Sequence, residues 1–262
     1  MRKKMRLLAL SIIILYLIIL YAPIVVSVLG SFSPRRFIID LDQLTLEWYY
    51  KAFSNKDIIS ATENSIKLSI LSGLISALTG LAVGYAYISR RPRGFVETIV
   101  YMPILIPEVI ESFTLALFYI DLGIEMGFAT VLIGHLTFNI AYAFVIIRSR
   151  VELIPREIVE TAKILGATDR VILLRVIMPL SYPAIISAFL LTFAMSFDDL
   201  IKTLFTSGPG FKTLPIVIWS MVGRGGITPE INAVNSLILL ISLSTAIILS
   251  YSMRREIARI LG

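Results

Sequence analysis

Six long apolar runs constrain the fold of this chain more than any other feature of its sequence. They cover approximately residues 7–29, 64–88, 96–120, 127–147, 181–205 and 231–253. A helix that crosses the hydrocarbon core of a bilayer needs about 20 predominantly apolar residues, and in lipid its backbone must satisfy its own hydrogen bonds. We therefore predict an all-α polytopic membrane protein with six transmembrane helices in a single transmembrane domain, 1–262.

The composition agrees with membrane spans and excludes several kinds of site. Of the 262 residues, 57% are hydrophobic and only 16% are charged, whereas a soluble domain is about a quarter charged. The chain has no cysteine, which excludes disulfides, thiol catalysis and cysteine metal sites. Its single histidine excludes a multi-histidine metal site. No metal site is predicted.

The positions of Lys and Arg predict the orientation of the spans. If the N-terminus is cytoplasmic, most of the 24 basic residues lie on the inner side, as membrane proteins prefer. They lie in the N-terminal tail, in the loop with Arg90, Arg91 and Arg93, in the loop 148–180, and near the C-terminus. We expect both termini to be cytoplasmic in a cell membrane. The net charge of +6 then reflects topology, and no nucleic-acid partner is expected.

The first apolar run and two outer segments need separate interpretation. The first run is longer than a signal-peptide core of about 7–15 residues, so we expect it to be retained. The outer segment 31–62 contains Trp48 and Tyr49, which are typical of an interfacial helix. The apolar stretch 214–222 is too short to span, so it is predicted to be a re-entrant or interfacial helix.

The cytoplasmic loop 148–180 has the pattern of a helix–turn–helix. Pro155 suits the first turn of a helix, and Gly166 suits its C-terminal cap. A second helix is predicted from near Thr168 to just before Pro179. Apolar residues recur at helical spacing in the first helix, at Ile154, Ile158, Ala162 and Leu165. Such a unit suits either docking into a partner's groove or lying on the bilayer surface, and periodicity leaves both open.

A motif in this loop resembles that of a known family. Glu160-Thr-Ala162, three residues, Gly166, nine residues and Val176-Ile-Met-Pro179 resemble the EAA loop of binding-protein-dependent ABC importer permeases. The family pattern is Glu-Ala-Ala, x3, Gly, x9, Ile-x-Leu-Pro, from which Thr161, Val176 and Met178 depart mildly. The resemblance implies that this helix couples the chain to an ATP-hydrolysing subunit, with Glu160, Ala162 and Gly166 in contact with that partner.

Segments elsewhere extend the resemblance over nearly the whole chain. Ser196-Phe-Asp-Asp-Leu200, His135-Leu-Thr-Phe138 and Thr228-Pro-Glu-Ile-Asn232 are similar to the second permease subunit of spermidine/putrescine importers, although subfamilies for other solutes share parts of these segments. The resemblance implies a MetI-like ABC importer permease fold and polyamine transport by alternating access. It also implies three protein partners: two copies of an ATP-binding subunit, a homologous sister permease and an extracytoplasmic solute-binding protein. A homodimer replaces the sister pairing if no sister exists.

Carboxylates within the apolar runs are candidates for a substrate pathway. Ionisable residues inside a membrane are costly and therefore point to function. Glu108 lies near the middle of the third run, and Asp198 and Asp199 lie in the outer half of the fifth. Pro103 and Pro107 are predicted to kink the third helix. A path for flexible polycations needs spaced carboxylates and aromatic faces, for which we consider Tyr101, Tyr119 and Phe197.

Neighbouring polar residues allow simpler roles. Lys202 lies four residues after Asp198 and three after Asp199, so it suits neutralisation of one of them within a helix. Glu111 shares a helical face with Glu108 and is a weaker pathway candidate. His135 and Asn139 also share a face, and a helix-packing hydrogen bond explains them better than a ligand site.

No enzymatic motif is present in the sequence. The segment 208–213 superficially resembles a phosphate loop, but Phe211 stands where glycine must precede the lysine. We expect no catalytic residue and no cofactor in this chain, with ATP and Mg²⁺ on the partner ATPase. Two rival classes remain open. One is a secondary transporter or channel with proline-broken helices. The other is an intramembrane enzyme using Asp198 and Asp199, which suits a dyad poorly because adjacent helical residues diverge by about 100°.

Overall fold

A computed structural model describes residues 2–35, 42–90 and 94–261, and within those ranges the ordered elements are all helices. The predicted inner loop residues Arg91 and Arg93 lie outside the described residues. The helices are α1 (Arg2–Gly30), α2 (Glu47–Ser54), α3 (Lys56–Arg90), α4 (Phe95–Leu105), α5 (Glu108–Asp121), α6 (Phe128–Val151), α7 (Arg156–Ile164), α8 (Asp169–Ile172), a π-helical segment (Leu173–Ile177), α9 (Met178–Leu180), α10 (Tyr182–Phe197), α11 (Ile201–Thr206), α12 (Leu214–Gly225) and α13 (Pro229–Leu261).

The described helices give three spans, or up to five if each bent pair is one span. The three unbroken spans are Ala9–Gly30, Lys56–Tyr87 and Phe128–Val151. The bent pairs are Glu97–Leu105 with Glu108–Asp121, and Asp169–Leu180 with Tyr182–Phe197. The predicted run 231–253 lies within α13, in which Pro229–Ser244 is the apolar stretch found among the described side chains. The all-α membrane fold is confirmed, while the count of six stays a prediction.

Two predicted continuous spans are broken in the structure. The third bends by 105° between α4 and α5, because Pro107 cannot donate a backbone hydrogen bond and disfavours a helical residue before it. The kink predicted there is confirmed and is sharper than expected. The fifth was expected to be unbroken over 181–205, and this is wrong. Its helix stops at Phe197 and resumes at Ile201, whereas the 79° bend near Ser181 lies at its predicted start.

The chain divides into two compact units. The first comprises Met1–Ile59 and Val217–Leu243. In it α1 is exposed over residues 9–26, and none of its most hydrophobic window is buried. The predicted interfacial helix is α2, which is tied to the end of α1: Trp48 Nε1 donates to the Ser33 carbonyl oxygen at 2.9 Å, and the Tyr49 hydroxyl lies 2.7 Å from Ser31 Oγ.

The second unit comprises Ser60–Ile216 and Ser244–Gly262 and contains the remaining spans. Its core joins α3, α6 and α10 to the cytoplasmic loop. The buried apolar residues of this core are Ala77, Leu81, Tyr85, Ala143, Ile147, Val151, Ile172, Ile177 and Ala188. Small residues allow close helix contact, as is common in membranes: a Cβ on Gly80 would lie 2.9 Å from the backbone of Ala143.

Candidate functional site

A cavity of about 770 Å³ opens among α4, α5, α6, α10 and α11 in the second unit. All three carboxylates predicted for a substrate pathway, Glu108, Asp198 and Asp199, line it. Its other lining residues are Pro103, Ile104, Ile106, Glu111, Phe138, Tyr142, Ala194, Met195, Leu200, Ile201 and Lys202. Carboxylates from two spans that are far apart in sequence are therefore brought to one place.

Breaks in two helices position these carboxylates. Glu108 is the first residue of α5, directly after Pro107. Asp198 and Asp199 fill the gap between α10 and α11. Irregular backbone at membrane depth is tolerated where it lines a cavity, and broken helices form binding sites in transporters for that reason.

Asp199 is fixed by a network of hydrogen bonds. Its Oδ1 accepts from the Thr203 backbone N–H at 2.8 Å and from the Thr203 hydroxyl at 2.9 Å. The same oxygen lies 3.2 Å from His135 Nε2. A carboxylate at the start of α11 also interacts favourably with the helix dipole. Asp199 is buried, and these contacts compensate for its loss of water.

His135 joins three helices through its ring nitrogens. Nδ1 lies 2.7 Å from Ser196 Oγ on α10, and Nε2 lies 3.0 Å from Thr203 Oγ1 on α11. The nearby Asn139 donates from Nδ2 to Ser72 Oγ at 2.8 Å. The predicted helix-packing role of both residues is confirmed. Sequence reasoning missed that His135 also holds Asp199, because that contact depends on the break in the fifth span.

Lys202 pairs with Glu111 and with neither neighbouring aspartate. Its Nζ donates to Glu111 Oε2 at 2.8 Å, and the side chain is fully buried. The alternative that Lys202 neutralises Asp198 or Asp199 within one helix is wrong, because the helix is interrupted between those aspartates and Lys202. The interruption removes the i, i+4 geometry that such a pair requires.

Asp198 and Glu108 present their carboxyl groups to the open cavity. Both residues are exposed, and the Glu108 carboxyl lies close enough to that of Asp199 to interact with it. The described lining holds four carboxyl groups and one ammonium group. The cavity is therefore acidic, even after Lys202 has paired with Glu111.

The aromatic residues predicted for this site lie elsewhere. Phe197 is buried and stacks on Phe193. Tyr119 donates to a backbone carbonyl, and Tyr101 accepts a hydrogen bond from an arginine. None of the three lines the cavity, so the structure does not place them in this site. Phe138 and Tyr142 of α6 provide the aromatic lining, a placement that helical spacing alone does not reveal.

The cytoplasmic loop has the predicted helix–turn–helix form. Its first helix is α7, and Gly166 follows with a φ of +83°, a left-handed conformation that favours glycine. The backbone N–H of Ala167 donates to the Ala162 carbonyl at 3.0 Å, which closes the helix end. The second helix begins at Asp169, but it continues through the π-helical segment to Leu180. It therefore ends at Leu180, just beyond the predicted end before Pro179.

The two faces of α7 have different neighbours. Ile154, Val159 and Ala162 pack against the core of the second unit. Glu160 is exposed, and Ile164 and Leu165 are 85% and 81% exposed. The four residues of the predicted apolar stripe therefore do not share one environment, since Ile158 and Leu165 are exposed while Ile154 and Ala162 pack against the core. The exposed Ile164 and Leu165 extend the surface on which Glu160 and Gly166 lie.

Arg148 forms a network that the sequence pattern did not reveal. It lies near the C-terminal end of α6, where it pairs with Glu97 of α4 and with Glu152. Its guanidinium also donates to the Tyr87 hydroxyl at 2.8 Å and to the Tyr101 hydroxyl at 3.0 Å. These bonds join α3, α4 and α6 at one end of the bundle.

Within residues 2–35, 42–90 and 94–261, no three His, Cys, Asp or Glu side chains are grouped to hold a metal ion.

Comparisons of the sequence identify related proteins. A family model described as "Binding-protein-dependent transport system inner membrane component" matches residues 69–260. The chain is 32% identical over 226 residues to the spermidine/putrescine transport system permease protein PotC of Escherichia coli (strain K12), covering 86% of this chain and 85% of PotC. It is 34% identical over 230 residues to the putrescine transport system permease protein PotI of the same organism, covering 84% and 81%.

Solved structures share the fold at lower sequence identity. A chain of a bacterial ABC transporter that imports the acidic polysaccharide alginate has a TM-score of 0.74 at 16% identity, covering 96% of this chain and 95% of that one. A chain of the MetNI methionine ABC transporter in an inward-facing conformation has a TM-score of 0.56 at 15% identity, covering 77% and 98%. The predicted ABC importer permease fold is confirmed.

Proposed function

We propose, from the premise that this chain belongs to the family of binding-protein-dependent transport system inner membrane components, that it carries spermidine or putrescine. The family comprises membrane permease components of ABC importers, in which a separate subunit hydrolyses ATP. This chain is such a permease, and it is a multi-pass membrane protein rather than an enzyme. The proposal concerns its solute, its pathway residues and its partners.

The acidic cavity is the observation that carries the choice of solute. Polyamines are flexible chains with several ammonium groups, and carboxylates at separate points of a cavity match them better than one tight anion site. Glu108 and Asp198 present carboxyl groups to the opening, and Asp199 lies behind them. The names of the relatives PotC and PotI, which are polyamine permeases, support the same choice.

The carboxylates have different roles in this proposal because their contacts differ. Asp199 is held by His135 and Thr203, so it serves as a fixed negative charge in the wall. Asp198 and Glu108 are exposed to the cavity. Replacing their bound water with substrate ammonium groups therefore costs less free energy than it would at the buried Asp199. Apolar and aromatic lining from Phe138 and Tyr142 suits the methylene segments between those groups, and the ring face of Tyr142 suits an ammonium group.

Transport by alternating access requires parts of the cavity wall to move. The sharp bends between α4 and α5 and near Ser181 divide the spans into segments that rotate separately. ATP binding on the partner closes two ATPase subunits, which shift the cytoplasmic loop and thereby the spans packed against it. Glu160 and Gly166, which are exposed, and Ala162, which its core packing leaves partly exposed, contact the ATPase in this account. The ATP and Mg²⁺ remain on that partner.

The remaining partners follow from the type of importer. A homologous sister permease, or a second copy of this chain, completes the translocation path. An extracytoplasmic binding protein delivers the solute to the outer side, and both termini of this chain lie in the cytoplasm. A different small solute is the alternative, since the fold is shared with an importer of an acidic polysaccharide and does not by itself select a cation.

The test is polyamine uptake by lipid vesicles that contain the complete complex, loaded with ATP and supplied with the binding protein outside. Glu108→Gln and Asp198→Asn, made singly, are expected to lower uptake roughly tenfold each, since each removes a charge-assisted contact. Glu125→Gln is the matched control, because Glu125 is an exposed carboxylate outside the cavity lining. Wild-type uptake by both cavity variants would exclude this cation path.

A further inference from the structure

Lys202 lies within a membrane span, and specific contacts surround its side chain. Its side chain is fully buried, although a charged group inside a membrane is costly. The aliphatic stem runs past Gly134 of α6, where an added Cβ would lie 3.3 Å from Lys202 Cγ. Because Gly134 has no side chain, the lysine stem has room to pass α6 and reach the cavity wall.

Three kinds of group surround the ammonium at the end of that stem. A carboxylate oxygen of Glu111 lies 2.8 Å from Nζ, and the Thr137 hydroxyl lies 3.1 Å away. The Phe138 ring lies beneath it, with its centroid 4.2 Å from Nζ. Charge, hydrogen bonding and a π face are the three interactions that recognise a primary alkylammonium.

Two of these groups, and Lys202 itself, border the cavity proposed to carry polyamines. Glu111, Phe138 and Lys202 all belong to its lining, and Glu111 keeps 15% of its side chain exposed. A lysine side chain is a four-carbon chain that ends in a primary ammonium, and it matches the aminobutyl end of putrescine or spermidine. The protein thus places one such unit of its own in the wall of the path.

We propose that Glu111, Thr137 and Phe138 form an alkylammonium subsite, which Lys202 occupies from within the chain. Lys202 is then a specificity-determining residue. Glu108, Asp198 and Asp199 remain available to the substrate, whereas Glu111, the fourth carboxylate of the cavity, is already paired with Lys202. The effect of Lys202 on substrate selectivity rests on the proposed polyamine function. The filled subsite favours amines with fewer ammonium groups, because an additional ammonium finds its partner already taken.

The first test uses butylammonium as a probe of the emptied subsite. Lys202→Ala removes the stem and head group, and butylammonium has the matching length. We expect butylammonium to raise the melting temperature of the Lys202→Ala complex in lipid nanodiscs. The increase should be smaller for wild type, which lacks the vacancy, and for Lys202→Ala/Glu111→Gln, which lacks the carboxylate of the subsite. Equal responses of all three complexes would overturn the subsite.

The second test measures selectivity and does not depend on the first. The ratio of spermidine to putrescine uptake should rise about tenfold in Lys202→Ala, because one charge-assisted contact becomes available to the longer amine. Lys202→Gln, which keeps hydrogen bonding but loses the charge, should change the ratio in the same direction if the alanine variant does not assemble. Adding Glu111→Gln should restore the wild-type ratio.

The outcomes separate this proposal from the function on which it rests. If wild type transports polyamines and both Lys202 variants keep its uptake ratio, the specificity role is overturned and the polyamine function stands. If wild type transports no polyamine at all, the polyamine function and the selectivity claim both fall. In that case the butylammonium response still decides whether the three groups form an alkylammonium subsite.

Discussion

The hydroxyl group of Tyr85 donates a 2.9 Å hydrogen bond to Asp169 Oδ1 and so joins the long helix α3 to the first turn of α8. Tyr85 belongs to the buried core of the second unit. The same carboxylate oxygen lies 3.5 Å from Lys163 Nζ at the end of α7. Asp169 therefore links both helices of the cytoplasmic loop to a transmembrane helix.

Tyr85→Phe is expected to weaken coupling between ATP hydrolysis and transport. The change removes one hydrogen bond to a charged group, worth about 1.5–3 kcal/mol, and retains the packing of the ring. The ratio of ATP hydrolysed to solute transported should rise several-fold in vesicles. Tyr182→Phe is the control, since Tyr182 is 60% exposed. An unchanged ratio in Tyr85→Phe would show that this bond does not transmit the motion.

The two adjacent aspartates should respond differently to the same substitution. Asp199→Asn weakens the contacts with His135 and Thr203 and is expected to lower the free energy of unfolding by about 1–3 kcal/mol. Asp198→Asn alters an exposed carboxylate, so its effect on stability should stay within about 0.5 kcal/mol. Thermal unfolding in detergent measures both, and equal losses would contradict the fixed role assigned to Asp199.

Gly166 should tolerate asparagine better than alanine. Its φ of +83° is a conformation that costs most residues about 1–2 kcal/mol, while asparagine adopts it more readily. Gly166→Ala is expected to reduce the amount of ATPase that co-purifies with the chain, and Gly166→Asn should reduce it less. Gly223→Ala is a control at an open position. Equal recovery of the ATPase with all variants would show that the turn at Gly166 is not part of the contact with the ATPase.

Two glycines on α3 provide a matched pair for helix packing. A Cβ at Gly80 would lie 2.9 Å from backbone atoms of Ala143 and Phe144, whereas one at Gly84 would make an ordinary contact of 3.7 Å with Ile147. Gly80→Ala is expected to destabilise the protein by about 1–3 kcal/mol through overpacking. Gly84→Ala should be nearly neutral, and the difference appears as a lower melting temperature for Gly80→Ala alone.

The fold class and the cytoplasmic loop could be predicted because their signals are local. Long apolar runs require helices in lipid, and Pro155 and Gly166 bound a short helix by their own backbone preferences. Pro107 likewise predicted a kink at the position where the third span bends by 105°. Each of these features is determined within a few residues of the sequence.

The partners of the buried charges could not be predicted, because they depend on a break with no local signal. No proline or glycine lies between Phe197 and Ile201, so the fifth span was expected to continue. The interruption there turns Asp199 toward His135 and leaves Lys202 with Glu111, 91 residues away in sequence. The aromatic lining was missed for a related reason: a ring's position on its own helix does not show which cavity it faces.

The most direct test of the central claim is ATP hydrolysis by the natively co-purified complex in lipid, with its binding protein and a panel of polyamines, amino acids and metal ions. The account predicts that an ATPase co-purifies with this chain and that spermidine or putrescine stimulates hydrolysis, while Glu108→Gln and Asp198→Asn reduce that stimulation. Stimulation by another solute, with no response to either polyamine, would contradict the proposed substrate and the role of the acidic cavity.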